Sequence, residues 1–179
     1  MSNHLELAHS YWRQTLSSGD RVIDATCGNG YDTLFLAKLN VEIIAYDIQK
    51  KAIDLTRAKV PKAIFRLRSH VFFVEDTAAL IVYNLGYLPG GDKQLTTQCD
   101  TTLESVSHAL KIATKAISIT CYPGHPEGAR EEIALMDFFK SLDPRKWSVC
   151  YHQWLNRHRA PSLIWLSRKV MFDEPPTHF

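Results

Sequence analysis

The stretch Val22-Ile23-Asp24-Ala25-Thr26-Cys27-Gly28-Asn29-Gly30 runs from an apolar segment into a turn carrying an acid, an amide and two glycines. Glycine lets such a turn close on a bound group, and a helix opening just after it offers unpaired N–H groups to that ligand. No third glycine completes the G-x-G-x-x-G turn of dinucleotide enzymes, because Tyr31-Asp32-Thr33 come next. Asp24, just before the turn, is a carboxylate suited to the ammonium of a methionine moiety. Asp47 ends the next apolar run about 20 residues on, where a carboxylate accepts hydrogen bonds from ribose hydroxyls. A lone GxG turn is a weak sign. Acid, GxG and acid at successive strand ends point to a cofactor that carries adenosine rather than to a purely structural turn.

A second group, Asn84-Leu85-Gly86-Tyr87, follows another apolar run. Methyl transfer from a sulfonium is an in-line displacement, so a nitrogen acceptor must aim its lone pair at the methyl carbon. An Asn oxygen and neighbouring backbone carbonyls can hold the N–H bonds and set that aim. The aromatic can cover the cation or pack on a base. The competing reading is a tight turn that needs Gly86, with Tyr87 in the core. No cysteine lies near Asn84, which argues against a pyrimidine C5 mechanism through a thiol. The four cysteines (Cys27, Cys99, Cys121, Cys150) form no CxxC pair, so zinc-ribbon and thioredoxin readings fall away and reduced cytosolic thiols are expected. His70 and His125 fall near the ligand-binding rim of the expected sheet. His4, His9, His108, His152, His158 and His178 show no clustering with carboxylates or cysteines, so no metal site is expected.

These groups need strands that end side by side. The periodicity predicts a helix over 4–17, a strand over 22–24, a helix over 32–39 and a strand over 42–46 closed by Asp47. A helix over 49–59 stops at Pro61, and a third strand covers 63–67. Residues 80–83 are apolar throughout, as befits a central parallel strand covered on both faces. Helices follow over 97–111 and 126–142, with a strand over 116–121. Two last strands, 147–155 and 163–168, leave no room for a helix between them, so an antiparallel pair ends the sheet. The expectation is one α/β domain over 1–179, doubly wound.

The motifs together resemble one family. DATCGNGYDTLFLA from Asp24, Asp47-Ile48-Gln49, Ser69-His70, NLGYLPGGDK from Asn84 with Thr96-Thr97, Tyr122-Pro123-Gly124-His125 and 151–156 look like successive motifs of the small rRNA methylase family. Some of its members are tRNA wobble-uridine methyltransferases that act on 5-aminomethyl(-2-thio)uridine. The resemblance covers about 20–170, and it implies a Rossmann-like class I methyltransferase domain with a seven-stranded, mostly parallel sheet and a terminal antiparallel hairpin. It implies S-adenosyl-L-methionine as cofactor, with Gly28, Asn29, Gly30 and Asp32 towards the methionine end beside Asp24. Asp47 and Gln49 would serve the ribose and adenine, with Ser69 and His70 beside the adenine. Asn84 and Tyr87 would face the acceptor as catalytic residues. Lys93, Thr96, Thr97, Tyr122, His125 and Asn156 would bind substrate. The chain departs from the pattern at Tyr31 (usually His), at Val71 (often acidic) and at Arg159-Ala160-Pro161, where a Pro-Pro pair is usual.

Composition agrees with such a protein. Of 179 residues, 45% are hydrophobic and 22% charged, with a net charge of +2. No apolar run approaches the roughly 20 residues that span a bilayer. The N-terminal segment is too polar for a secretory signal, so a cytoplasmic enzyme is expected. Basic residues gather between Lys50 and Arg68 and at Arg157-His158-Arg159, where phosphates could be met. The expected partner is a tRNA anticodon stem-loop, and a homodimer is compatible with the sequence. The rivals are a methyltransferase for ribosomal RNA or a small molecule, an NAD-dependent oxidoreductase, and a non-catalytic adenosylmethionine-binding module. The missing third glycine and the lack of a hydride-transfer acid weaken the oxidoreductase.

Overall fold

The computed structural model describes residues 3–86 and 98–169. The chain opens with α1 (His4–Thr15), started by a reciprocal cap. The Asn3 side chain accepts from the Glu6 N–H at 2.9 Å, and the Glu6 carboxylate accepts from the Asn3 N–H. Ala8 and Trp12, one turn apart, form its buried stripe. Then come β1 (Arg21–Asp24), α2 (Tyr31–Ala37), β2 (Glu42–Asp47), α3 (Lys50–Lys59), β3 (Ile64–Leu67) and β4 (Ala78–Asn84). The second half holds α4 (Cys99–Ile112), β5 (Ala113–Cys121), α5 (Pro126–Lys140), β6 (Trp147–His152) and β7 (Ser162–Arg168).

The strands form one sheet in the order β3-β2-β1-β4-β5-β7-β6. The first five pair parallel, and β7 pairs antiparallel with both β5 and β6. The expected terminal hairpin is therefore present, but its later strand lies inside and β6 takes the edge. Because β6 again runs with β5, its C-terminal end reaches the same sheet edge as Asp24 and Asn84. β6 stops at His152 rather than running on to 155, and residues 153–161 form a loop at that edge.

β4 shows why its apolar run is unbroken. Leu80 and Val82 enter the core beneath α1 and α2, with Trp12 and Leu36. Ile81 and Tyr83 enter the opposite core, with Val106, Leu135 and Phe139 of α4 and α5. A strand buried on both faces cannot alternate. Strand order reverses between β1 and β4, and ligands of such sheets bind outside the strand ends at that point.

Candidate active site

The turn after β1 is drawn over the sheet edge by backbone bonds. The Ala25 N–H reaches the Val82 carbonyl (2.8 Å), and the Cys27 N–H reaches that of Tyr46 (2.9 Å). Gly28 and Gly30 hold φ of 51° and 77°, the left-handed region open to glycine. Gly30 also lies tight against α3: a Cβ there would sit 2.8 Å from Thr56 Oγ1 and 2.9 Å from Thr56 Cα. The Thr56 hydroxyl donates to the Gly28 carbonyl at 3.2 Å. Asn29 is half-buried between the two glycines.

Asp47 ties the turn to the second strand end. One of its oxygens accepts from the Gly28 N–H (3.0 Å) and the other from the Gln49 N–H (2.9 Å). Burial raises its pKa, and these two N–H groups oppose that. Ile48, beside it, is 58% exposed and gives the rim an apolar ledge. Gln49 is the N-cap of α3, with no side-chain cap bond.

Asp24 differs from the sequence expectation of an open carboxylate. It is fully buried, accepting from the Thr33 hydroxyl at 2.6 Å and facing the Thr26 N–H. Burial pushes its pKa up to about 7, with the charge of Asp32 adding to the rise and the Thr33 bond opposing it. Asp24 braces the turn from below.

Asn84 closes β4 and is pinned twice. Its backbone N–H donates to Thr26 Oγ1 (2.7 Å), and its Nδ2 donates to Asp32 Oδ2 (2.8 Å). The other oxygen of Asp32 accepts from His9 Nε2 at 2.7 Å. No local pattern signals this pair: His9 counted among histidines without a carboxylate, yet α1 lays it on the first turn of α2. The charge of Asp32 is felt widely. It opposes the burial that lowers the His4 pKa, and it adds to the burial that pushes Tyr122 up to about 12.

Tyr122 and His125 come close to Gly86, within 4.0 Å of where its Cβ would stand. The Tyr122 hydroxyl lies 3.4 Å from His4 Nε2. His125 has a structural task as the N-cap of α5, its Nδ1 accepting from the Gly128 N–H at 3.1 Å. His70 follows β3, edge-on to Tyr83, and burial lowers its pKa to about 4. Its Nδ1 is buried with no hydrogen-bond partner among the described residues. Ser69 is exposed and accepts from the Val71 N–H. Asn156 is exposed on the loop after β6. Tyr87, Lys93, Thr96 and Thr97 lie outside the described residues. Among the described residues, no group of three or more His, Cys, Asp or Glu could hold a metal ion, and no helix is long and apolar enough to cross a membrane.

Of the residues expected from sequence, Gly28, Asn29, Gly30, Asp32, Asp47 and Asn84 therefore meet around one switch point. His9, Ile48, Thr26 and Thr56 join them without having been foreseen. Ile48 could have been found from its place directly after a strand-closing acid.

Comparison with known proteins places the chain in a family and a fold. The model of the family described as "Putative rRNA methylase" matches residues 43–168. The chain is 36% identical, over 92% of its length and 69% of the relative's, to the chloroplastic tRNA (mnm(5)s(2)U34)-methyltransferase of Arabidopsis thaliana. Among solved structures it is similar to a Clostridium thermocellum protein described as a "putative rRNA-methylase", with 30% identity, a TM-score of 0.87 and coverage of 94% and 99% of the two chains. It is also similar to a Streptococcus mutans protein described as "a putative methyltransferase" and solved in complex with SAH, with 30% identity, a TM-score of 0.85 and the same coverage.

Proposed function

The chain belongs to the rRNA methylase family and is an S-adenosylmethionine-dependent methyltransferase, and we propose that it N-methylates the 5-aminomethyl group of a tRNA wobble uridine. The observation that carries this reading is Asn84, held by Asp32 and Thr26 at the switch point of a class I methyltransferase sheet.

The residues present fit the cofactor. Asp47 stands at the rim with carboxylate lone pairs for ribose hydroxyls, and Ile48 offers a ledge for a flat base. His70, neutral and with an unpartnered buried nitrogen, suits an adenine edge. Gly28 and Asn29 serve the methionine end. Asp32 adds negative charge where a sulfonium needs it. Asp24 acts at one remove, through Thr33 and Thr26. The cofactor supplies a methyl group on cationic sulfur, and the chain supplies geometry. Asn84 Oδ1 accepts an N–H of the acceptor amine and turns its lone pair to the methyl. A primary amine must be neutral to react, and desolvation in the pocket lowers its pKa. Tyr87, Lys93, Thr96 and Thr97 complete the acceptor side in this reading.

The RNA part rests on the loop after β6. The Arg157 guanidinium lies 4.6 Å over the Trp154 ring, and Arg157, His158 and Arg159 are exposed beside exposed Asn156. A cavity of about 240 Å³ opens there, walled by Trp154, Tyr151, His152 and His4. Aromatic faces with flanking cations suit unstacked bases and their phosphates. A wobble base is already single-stranded, so no duplex has to be melted.

An anticodon stem-loop carrying 5-aminomethyluridine should accept one methyl group, while the same RNA with unmodified uridine accepts none. Affinity should fall as salt rises. Methylation of unmodified uridine, or activity confined to ribosomal RNA, overturns the substrate assignment. Binding of NAD in place of S-adenosylmethionine overturns the whole reading.

A further inference from the structure

We infer that His9 of the N-terminal helix is a positioning residue for methyl transfer: through Asp32 it fixes which end of the Asn84 amide faces the acceptor. This rests on the role proposed for Asn84.

An amide side chain has two ends of nearly equal shape and opposite hydrogen-bonding sense. Rotation by half a turn would present N–H to an acceptor amine that needs an oxygen. A carboxylate only accepts, so Asp32 Oδ2, 2.8 Å away, selects the Nδ2 end and leaves Oδ1 for the substrate. Asp32 can do this only if it does not pivot. Its second oxygen is held by His9 Nε2 at 2.7 Å, with the two side chains 12% and 21% exposed. His9 in turn is fixed by its ring faces. It stacks on Phe35 of α2 at 3.7 Å and 10°, and lies 4.8 Å from Trp12, which is 1% exposed. The chain of contacts runs from the core through His9 and Asp32 to the amide that orients the acceptor. It joins residues 9, 32 and 84, so α1 lies within the machinery although the family match begins at residue 43.

The effect belongs to the transition state. As the N–C bond forms and the sulfonium S–C bond breaks, with the sulfur leaving as a neutral thioether, the nitrogen gains a positive charge that it later sheds as a proton to solvent. Its N–H bond to Asn84 Oδ1 strengthens meanwhile, so a mis-set amide lowers kcat more than it raises KM. His9→Phe keeps the stack on Phe35 and removes only the donor. It should lower kcat by ~10- to 100-fold, by analogy with losing the partners that orient metal ligands. Cofactor Kd and KM for the stem-loop should stay near wild type. His9→Gln restores an N–H and should recover most of the loss. In an Asn84→Ala background, His9→Phe should cost nothing further, because both act through one amide.

Full turnover by His9→Phe, with Asn84→Ala impaired, overturns the inference alone. An equal proportional loss with and without Asn84 also overturns it, since His9 would then be merely structural. Full turnover by Asn84→Ala overturns the role of Asn84, and the inference falls with it.

Discussion

Asp24 and Asp47 close neighbouring parallel strands, yet they hold the glycine turn from opposite sides. Asp24 lies beneath it, fully buried, its oxygens turned to Thr33 and Thr26. Asp47 lies at the rim, half-buried, its oxygens taking the N–H groups of Gly28 and Gln49. Register explains the difference. Asp24 pairs with Ala45, so Asp47 projects two residues further along the sheet edge, about 7 Å at the usual rise per residue. One residue type at two successive strand ends thus gives one buried brace and one carboxylate at the rim. The acid that looked like the cofactor contact before the turn is the one the fold buries.

The comparison is broken most severely at Gly30, where the turn meets the helix that follows Asp47. Gly30→Ala forces a Cβ within 2.9 Å of the Thr56 backbone at a φ of 77°. Left-handed strain and overpacking together should cost roughly 2–5 kcal/mol, read as a lower midpoint in urea unfolding. An unchanged midpoint would mean that the turn and α3 separate easily, and that brace and rim are independent.

The rim alone is tested at Asp47. Asp47→Ala should weaken S-adenosylmethionine binding by roughly 1.5–3 kcal/mol, the range for hydrogen bonds to a charged group. Asp24→Asn should leave that affinity within about threefold, since its side chain is shielded from ligand. Calorimetry on both variants checks the pair. Equal losses would show that the two acids share one task.

Sequence alone carries much of this site because its chemistry is local. The turn at 27–30, the acid at 47 and the amide at 84 each sit at a strand end, and periodicity locates strand ends. Burial was harder to read. Whether a strand-closing acid points up or down depends on register with its neighbour, which no local pattern of residues 22–30 encodes. His9 was out of reach for a related reason: its partner lies 23 residues away, and only the packing of α1 against α2 brings the two together. The order of the last two strands was also hidden, because a hairpin can join a sheet by either strand. Burial selects β7, whose residues Ser162 to Leu166 are all buried, while β6 alternates with exposure as an edge strand does.

The effect most specific to the brace is its dependence on pH. In the folded protein the Asp24 carboxyl is pushed up to about 7 from an ordinary 3.8, by burial first and by the charge of Asp32 after it. A raised folded pKa makes the folded state hold its proton more tightly than the unfolded chain does. The resulting stabilisation is fully present below about 3.8 and is lost as pH rises through about 7. Asp24→Asn is neutral at every pH and keeps a carbonyl for the Thr26 N–H, so its stability lacks this dependence on pH. Its Tm should match wild type near the acid end of the window and exceed it by roughly ten degrees at the alkaline end. Melting curves of both proteins without cofactor, taken at half-unit steps across that window, give the gap directly. A constant gap would mean that Asp24 stays ionised in the fold, with Thr33 and Thr26 fully offsetting its burial. The difference between brace and rim would then be one of position only.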